Sequence, residues 1–227
     1  MGRIEGIFLD IDDVLYDSTG FSENARLTGL EQLQKYFPEI DMEKLKNETK
    51  AVLSENGSNH DLLFDDVLKR LCISEQDPRF YPAVMSAVYR YHLKKFVELE
   101  PFPDVKKTLD ELKSKNVKLG IISNGITKKQ WYKLILLELD CFFRPEYVII
   151  SERVGYQKPE PEIYKIALES MGIYACNAAH CDDRPEYVEG AMNVGMTGIR
   201  ILKGKYKNKQ GKADYEVSEL GEILKIF

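Results

Sequence analysis

Apolar positions along this chain follow two successive patterns. Ile4, Ile7, Phe8 and Leu9 form a short apolar run that stops abruptly at three acids, Asp10, Asp12 and Asp13. Short apolar runs bounded by polar breaks predict buried strands, so this strand delivers carboxylates at its C-terminal end. Helical spacing then takes over. Residues 21–37 predict an amphipathic helix with Ser22 as N-cap, followed by helices over 41–53, 60–71 and 81–99. A Gly-Ser-Asn break at 57–59 separates the second helix from the third. Helices joined by such short connections predict a small bundle with leucine, tyrosine and phenylalanine in its core.

Pro101 and Pro103 end the helical run, and alternation begins. Strands are predicted over 117–122, 147–150, 178–181, 199–202 and 215–217. Helices are predicted over 104–115, 128–139, 161–171 and 184–194. Strands alternating with helices of this length predict an α/β fold, a three-layer Rossmann-like core with a mostly parallel sheet. The bundle is then an α-helical insertion between the first and second core strands. Residues 1–16 and 100–227 would form the core and 17–99 the insertion. The polar segment 204–212 reads as a solvated turn.

Composition narrows the function classes. The chain has 227 residues, 44% hydrophobic and 30% charged, enough for a substantial core with a modest insertion. No stretch of eighteen apolar residues predicts a membrane span, and acids interrupt the apolar run near the start that a secretory leader would need. A cytoplasmic enzyme is expected. A net charge of −5 with no dense basic tract argues against nucleic acid as a partner. Cys72, Cys141, Cys176 and Cys181 form no C-x-x-C pair, so they read as buried thiols in a reducing compartment rather than a zinc site. No pattern in the chain specifies an oligomeric state.

Candidate chemistry gathers where strands end, since open parallel sheets bind ligands there. The first strand delivers Asp10 and Asp12. The second delivers Ser123 and Asn124, then Gly125, which permits a sharp turn. The third leads to Lys158, and the fourth to Asp182 and Asp183. Acids this close repel unless a cation or a shared proton offsets them. Carboxylates without histidine or thiolate partners favour a hard cation, Mg²⁺ first. With a lysine beside it, such a cation suits a phosphate-bearing substrate, with Ser123 and the backbone amides through Gly125 binding phosphoryl oxygens. Each part alone has a plainer reading: Ser123 and Asn124 as a helix cap, Lys158 as a surface lysine, Asp182 and Asp183 as a helix start. Their coincidence at successive strand ends is the signal.

These residues resemble the four motifs of the haloacid dehalogenase (HAD) superfamily. Asp10-Ile11-Asp12, followed by Asp13-Val14, is similar to the first motif, although many members carry Gly-Thr at those last two positions. Ser123 matches the second, Lys158 the third, and Asp182-Asp183 the paired-acid form of the fourth. A later acid found in some members would fall near Tyr187 and is absent. The inserted helices resemble the cap of subfamily I.

By this resemblance Asp10 is the nucleophile that becomes an aspartyl phosphate, and Asp12 is the general acid and base. Mg²⁺ would be held by Asp10, the Asp12 carbonyl and Asp182, with Asp183 bound directly or through water. Ser123 and Asn124 would bind the phosphoryl group, and Lys158 would neutralise it and orient Asp10. The expected function is a Mg²⁺-dependent phosphatase acting on a small phosphorylated metabolite. A phosphosugar mutase shares the four motifs. A 2-haloacid dehalogenase fits less well, because those enzymes generally lack an acid where Asp12 stands and need no metal. A non-catalytic binding protein on this fold conflicts with intact Asp10, Asp12, Lys158 and Asp182. In subfamily I the cap sets selectivity, which makes Ser58, Asn59 and His60 candidate substrate contacts for a sugar or polyol. An ordinary interhelical turn there is the alternative.

Overall fold

The computed structural model describes residues 4–57 and 60–227. The chain divides into two compact units, 1–19 with 100–227, and 20–99. Its helices in chain order are α1 (Ser18–Tyr36), α2 (Met42–Asn56), α3 (Leu63–Arg70), α4 (Phe80–Glu98), α5 (Val105–Ser114), α6 (Thr127–Leu136), α7 (Ser151–Val154), α8 (Pro161–Met171) and α9 (Pro185–Asn193). Its strands are β1 (Gly6–Leu9), β2 (Lys118–Ser123), β3 (Val148–Ile150), β4 (Ala178–Asp182), β5 (Thr197–Ile201) and β6 (Tyr215–Val217).

In the first unit the strands form one sheet in the order β3-β2-β1-β4-β5-β6, with every neighbouring pair parallel. Leu9 pairs with Ile121 on one side and Cys181 on the other, so β1, β2 and β4 end side by side. The strand order reverses beside β1, where parallel sheets of this kind bind ligands. Strands β1 and β3 are buried along their length, as helix-covered parallel strands should be. Ile163, Tyr164, Ala167 and Met171 of α8, with Ala191 of α9, pack against Phe8, Ile122 and Ile149 of the sheet.

The second unit is helical and has its own core, with Leu33, Phe37, Leu45, Val52, Phe64, Val67, Leu68, Phe80 and Val84 among its buried residues. A side chain at Gly29 would run into the Phe64 ring, which would have to move. Asp41 caps α2 by accepting the Glu43 N–H at 3.2 Å.

Three expectations are corrected. Helix α1 starts at Ser18, which puts Ser22 inside the helix rather than at its cap. Asp13 supplies the acceptor instead, taking the Thr19 N–H at 2.9 Å and the Thr19 hydroxyl at 2.6 Å. Asp13 lies in the left-handed region, φ 58°. Glycine occupies that region without strain and aspartate tolerates it, which accounts for an acid where the resembling motif most often has glycine.

The cysteines are not uniformly buried. Cys181 lies within β4, whereas Cys72, Cys141 and Cys176 are exposed because they sit in surface connections. The segment 204–212 is also more than a solvated turn. Buried Arg200 donates through Nη2 to the carbonyls of Tyr206 (2.9 Å) and Lys209, anchoring the loop by its backbone. Among the described residues, no helix is long and apolar enough to cross a membrane.

Candidate active site

The Asp10 N–H donates to the Cys181 carbonyl at 3.0 Å, carrying the β1–β4 ladder one residue past the strand. Asp182 ends β4 and Asp183 follows it. Each of Asp10, Asp182 and Asp183 offers a carboxylate oxygen within 4.8 Å of the others, and all three residues are buried. Lys158 binds two of them, its Nζ donating to Asp10 Oδ1 at 2.8 Å, Asp182 Oδ2 at 2.6 Å and the Ile122 carbonyl at 2.8 Å. These bonds use all three of its donors.

One cation against three carboxylates leaves surplus negative charge, and the acidities show where it falls. Burial, reinforced by Asp182 and Asp10, pushes the Asp183 carboxyl up to about 9. Burial also raises Asp10, to about 6, against the pull of Lys158. Burial opposes ionisation of Asp182 as well, but Lys158 and His180 hold that carboxyl well below the usual range. Such an all-oxygen set, short of positive charge and without thiolate, fits a hard cation.

His180 lies between the Phe8 carbonyl (Nδ1, 3.1 Å) and Asp182 Oδ2 (Nε2, 3.2 Å), with Tyr164 edge-on to its ring. The Arg184 N–H at the start of α9 donates to Asp182 Oδ1 at 3.0 Å. Asp182 is therefore fixed through both oxygens.

At the end of β2, the Ser123 hydroxyl is buried and has no hydrogen-bond partner among the described residues. The next two positions are spent internally. Asn124 Oδ1 accepts the Lys158 N–H at 2.8 Å, while its Nδ2 donates to the Lys158 carbonyl (3.0 Å) and the Tyr187 hydroxyl (3.2 Å). The Gly125 N–H donates to Ser151 Oγ at 2.9 Å. With φ at 141°, and with Gln130 Nε2 only 2.5 Å from where a Cβ would stand, position 125 requires glycine. Ser123 is the open side-chain donor of this segment.

Asp12 stands apart from the lysine-bridged cluster. Lys133 Nζ donates to both of its carboxylate oxygens at 2.7 Å, and the Tyr16 hydroxyl donates to Oδ1 at 2.6 Å. Burial works against ionisation, but Lys133 and Tyr16 hold the Asp12 carboxyl below its usual range.

The remaining expected contacts are distributed differently. Ser58 and Asn59 lie outside the described residues. His60 Nε2 pairs with Asp66 Oδ2 at 2.6 Å within the helical unit. Tyr187 stacks beneath Lys158 Nζ, 5.0 Å from its ring centre, and accepts from Asn124.

Sequence reasoning missed Lys133 and His180 and gave Tyr16 no contact with Asp12. Lys133 shares its helix with Lys128 and Lys129 and nothing local sets it apart. His180 did leave a signal, being the one basic side chain within the buried strand AAHCD.

The family described as "Haloacid dehalogenase-like hydrolase" matches residues 7–201. The glyceraldehyde 3-phosphate phosphatase of Methanocaldococcus jannaschii is 37% identical, covering 98% of this chain and 96% of its own. That of Pyrococcus furiosus is 37% identical over 100% and 94%. Among solved structures, a HAD phosphatase from Thermococcus onnurineus aligns with a TM-score of 0.67 at 25% identity, covering 98% and 97%. A putative beta-phosphoglucomutase from Thermotoga maritima aligns with a TM-score of 0.73, over 98% and 97%, but at 22% identity it shows likeness of fold alone. The matched span runs from β1 through β5 and takes in Asp10, Ser123, Lys158 and Asp182; the chain belongs to the haloacid dehalogenase-like hydrolase family.

Proposed function

We propose that the chain hydrolyses the phosphate monoester of a small phosphorylated metabolite through an aspartyl phosphate on Asp10. The carrying observation is the Ser123 hydroxyl, buried without a partner at the strand end beside that of Asp10. An unpaired buried hydroxyl costs ~1–3 kcal/mol, which a bound oxyanion would offset. Glyceraldehyde 3-phosphate is the first candidate substrate, since full-length relatives carry that name. Exposed, unpaired Cys72, Cys141 and Cys176 suit a reducing cytoplasm.

In this reading Asp10 attacks phosphorus as the bond to the leaving oxygen breaks, and Asp12, which takes up a proton as the substrate binds, gives that oxygen the proton. Water then attacks phosphorus and gives Asp12 its proton. The bond from phosphorus to Asp10 breaks, freeing inorganic phosphate. Lys158 holds Asp10 Oδ1 in place and lends charge to the phosphoryl group. Ser123 Oγ donates to a phosphoryl oxygen. Asp10, the Asp12 carbonyl, Asp182 and Asp183 would hold Mg²⁺, which when bound offsets the charge of phosphate and carboxylates together. Asp12 separates this reading from halide displacement, because a halide leaving group needs no proton.

The test is phosphate release from a panel of phosphorylated metabolites after metal stripping, with Mg²⁺ or EDTA added back. Turnover of a triose phosphate that needs Mg²⁺ and disappears in Asp10→Asn is expected. Halide release from 2-haloacids without any phosphate release, or full activity in Asp10→Asn, would overturn the reading.

A further inference from the structure

We propose that Lys133 is a positioning residue for proton transfer, holding the Asp12 carboxylate in place from helix α6. The inference rests on the reading of Asp12 as general acid and base. The Tyr16 hydroxyl donates to one carboxylate oxygen, Oδ1, and Ser18 also hydrogen-bonds the group. Lys133 Nζ lies 2.7 Å from both oxygens and holds the direction in which the carboxylate points, while the Tyr16 contact to one oxygen resists its rotation.

The helix that carries Lys133 is itself tied to the neighbouring strand end. Gln130 is buried, and its Nε2 donates to the Asn124 carbonyl at 2.8 Å. The Thr127 N–H donates to Glu152 Oε2 at 2.7 Å. Gln130 and Lys133 are three residues apart, hence neighbours on one helical face. Helix α6 therefore fixes the segment that follows Ser123 with one side chain and orients Asp12 with the next. The pair is partly covered, with side chains 26% and 33% exposed. It is better placed to hold an orientation than a freely solvated surface pair.

A structural role and a positioning role differ in what they predict for leaving groups. Lys133→Met, Lys133→Arg, Asp12→Asn and the Lys133→Met/Asp12→Asn double variant would be assayed with saturating Mg²⁺ on an alkyl phosphate and an activated aryl phosphate. Lys133→Met should lower kcat on the alkyl phosphate roughly 10- to 100-fold with little change in KM, as expected when a reacting group is misplaced. It should leave phosphorylation by the aryl phosphate nearly unchanged, because that leaving group needs no proton. Lys133→Arg should recover most of the loss, since a guanidinium can reach both oxygens. In the Asp12→Asn background the lysine substitution should add nothing further. Equal losses in the phosphorylation step on both substrates, or losses that multiply in the double variant, would overturn the inference. An Asp12→Asn enzyme with undiminished activity would instead overturn the reading of Asp12 on which it rests. If Lys133→Met does not fold, Lys133→Gln, which keeps one donor, decides by the same comparison.

Discussion

Two lysine–aspartate pairings lie at neighbouring strand ends and differ in their access to water. Lys158 is 1% exposed at its side chain, and its partners Asp10 and Asp182 are 10% and 0% exposed. Lys133 and Asp12 keep 26% and 33%. Charges taken out of water need every partner they have, so the dry set can hold only one arrangement. The half-wet pair keeps contact with water while Lys133 still holds the carboxylate, so it contributes less to stability than the dry set. A nucleophile benefits from the first environment and a proton carrier from the second. On the proposed roles, the two carboxylates of Asp10-Ile11-Asp12 would be separated by their lysines rather than by their own chemistry.

The largest effect is expected at Lys158. Lys158→Met would leave Asp10, Asp182 and Asp183 without a cation, destabilising the metal-free protein by about 3–5 kcal/mol in denaturant titrations. Lys133→Met should shift the same titration by about 1 kcal/mol or less. Similar shifts for the two would mean that the difference in burial carries no energetic weight.

Ser123→Ala should lower kcat/KM roughly 10²-fold by removing an oxyanion donor. It should leave metal-free stability unchanged or raised, since the hydroxyl has no partner to lose. A less stable variant would show that the hydroxyl is paired.

Cation binding offers a smaller and more graded readout. With its carboxyl raised to about 9, Asp183 carries a proton at pH 7 in the metal-free protein. A bound cation needs the carboxylate, so Mg²⁺ should release close to one proton per site near pH 7, read by calorimetry in buffers of different ionisation enthalpy. Affinity should rise with pH and level off near 9. Affinity independent of pH would place the cation elsewhere.

Tyr187→Phe should have the least effect. It removes an acceptor for Asn124 Nδ2 but leaves the ring beneath Lys158. A loss of about 1 kcal/mol in stability and only a few-fold in kcat is expected. A larger fall in kcat would mean that Asn124 places Lys158 less firmly than its bonds to the lysine's own backbone imply.

Most of the dry half of the site was legible in the sequence because Asp10, Ser123 and Asp182 end or directly follow a buried strand, although Lys158 comes later, after α7. Asp10 follows Gly6–Leu9, Ser123 ends Lys118–Ser123, and Asp182 ends Ala178–Asp182. Parallel strands announce themselves by buried runs, and their ends come with them. Of the half-wet pair, Asp12 was legible but Lys133 was not. Lys133 lies 121 residues from Asp12, on a helix whose other lysines look the same. Arg200 likewise read as one polar residue in a strand, while its hold on three loop carbonyls depends on how that loop folds back. Ser22 misled for a related reason. A local cap signal lost to Asp13, whose backbone conformation no local pattern reveals.

The central claim is that Asp10 takes the phosphoryl group and Asp12 moves the protons. Asp12→Asn keeps the nucleophile and the backbone carbonyl assigned to Mg²⁺ and removes the proton carrier, at a cost of roughly 10²–10⁴ in rate on an alkyl phosphate. Mixed rapidly with an activated aryl phosphate, this variant should give a burst of phenol approaching one per active site and then a slow phase. The trapped label should be stable to acid, labile to hydroxylamine, and mapped to Asp10, and Asp10→Ala should show neither burst nor label. Absence of a burst in Asp12→Asn, together with activity in Asp10→Ala, would contradict the account.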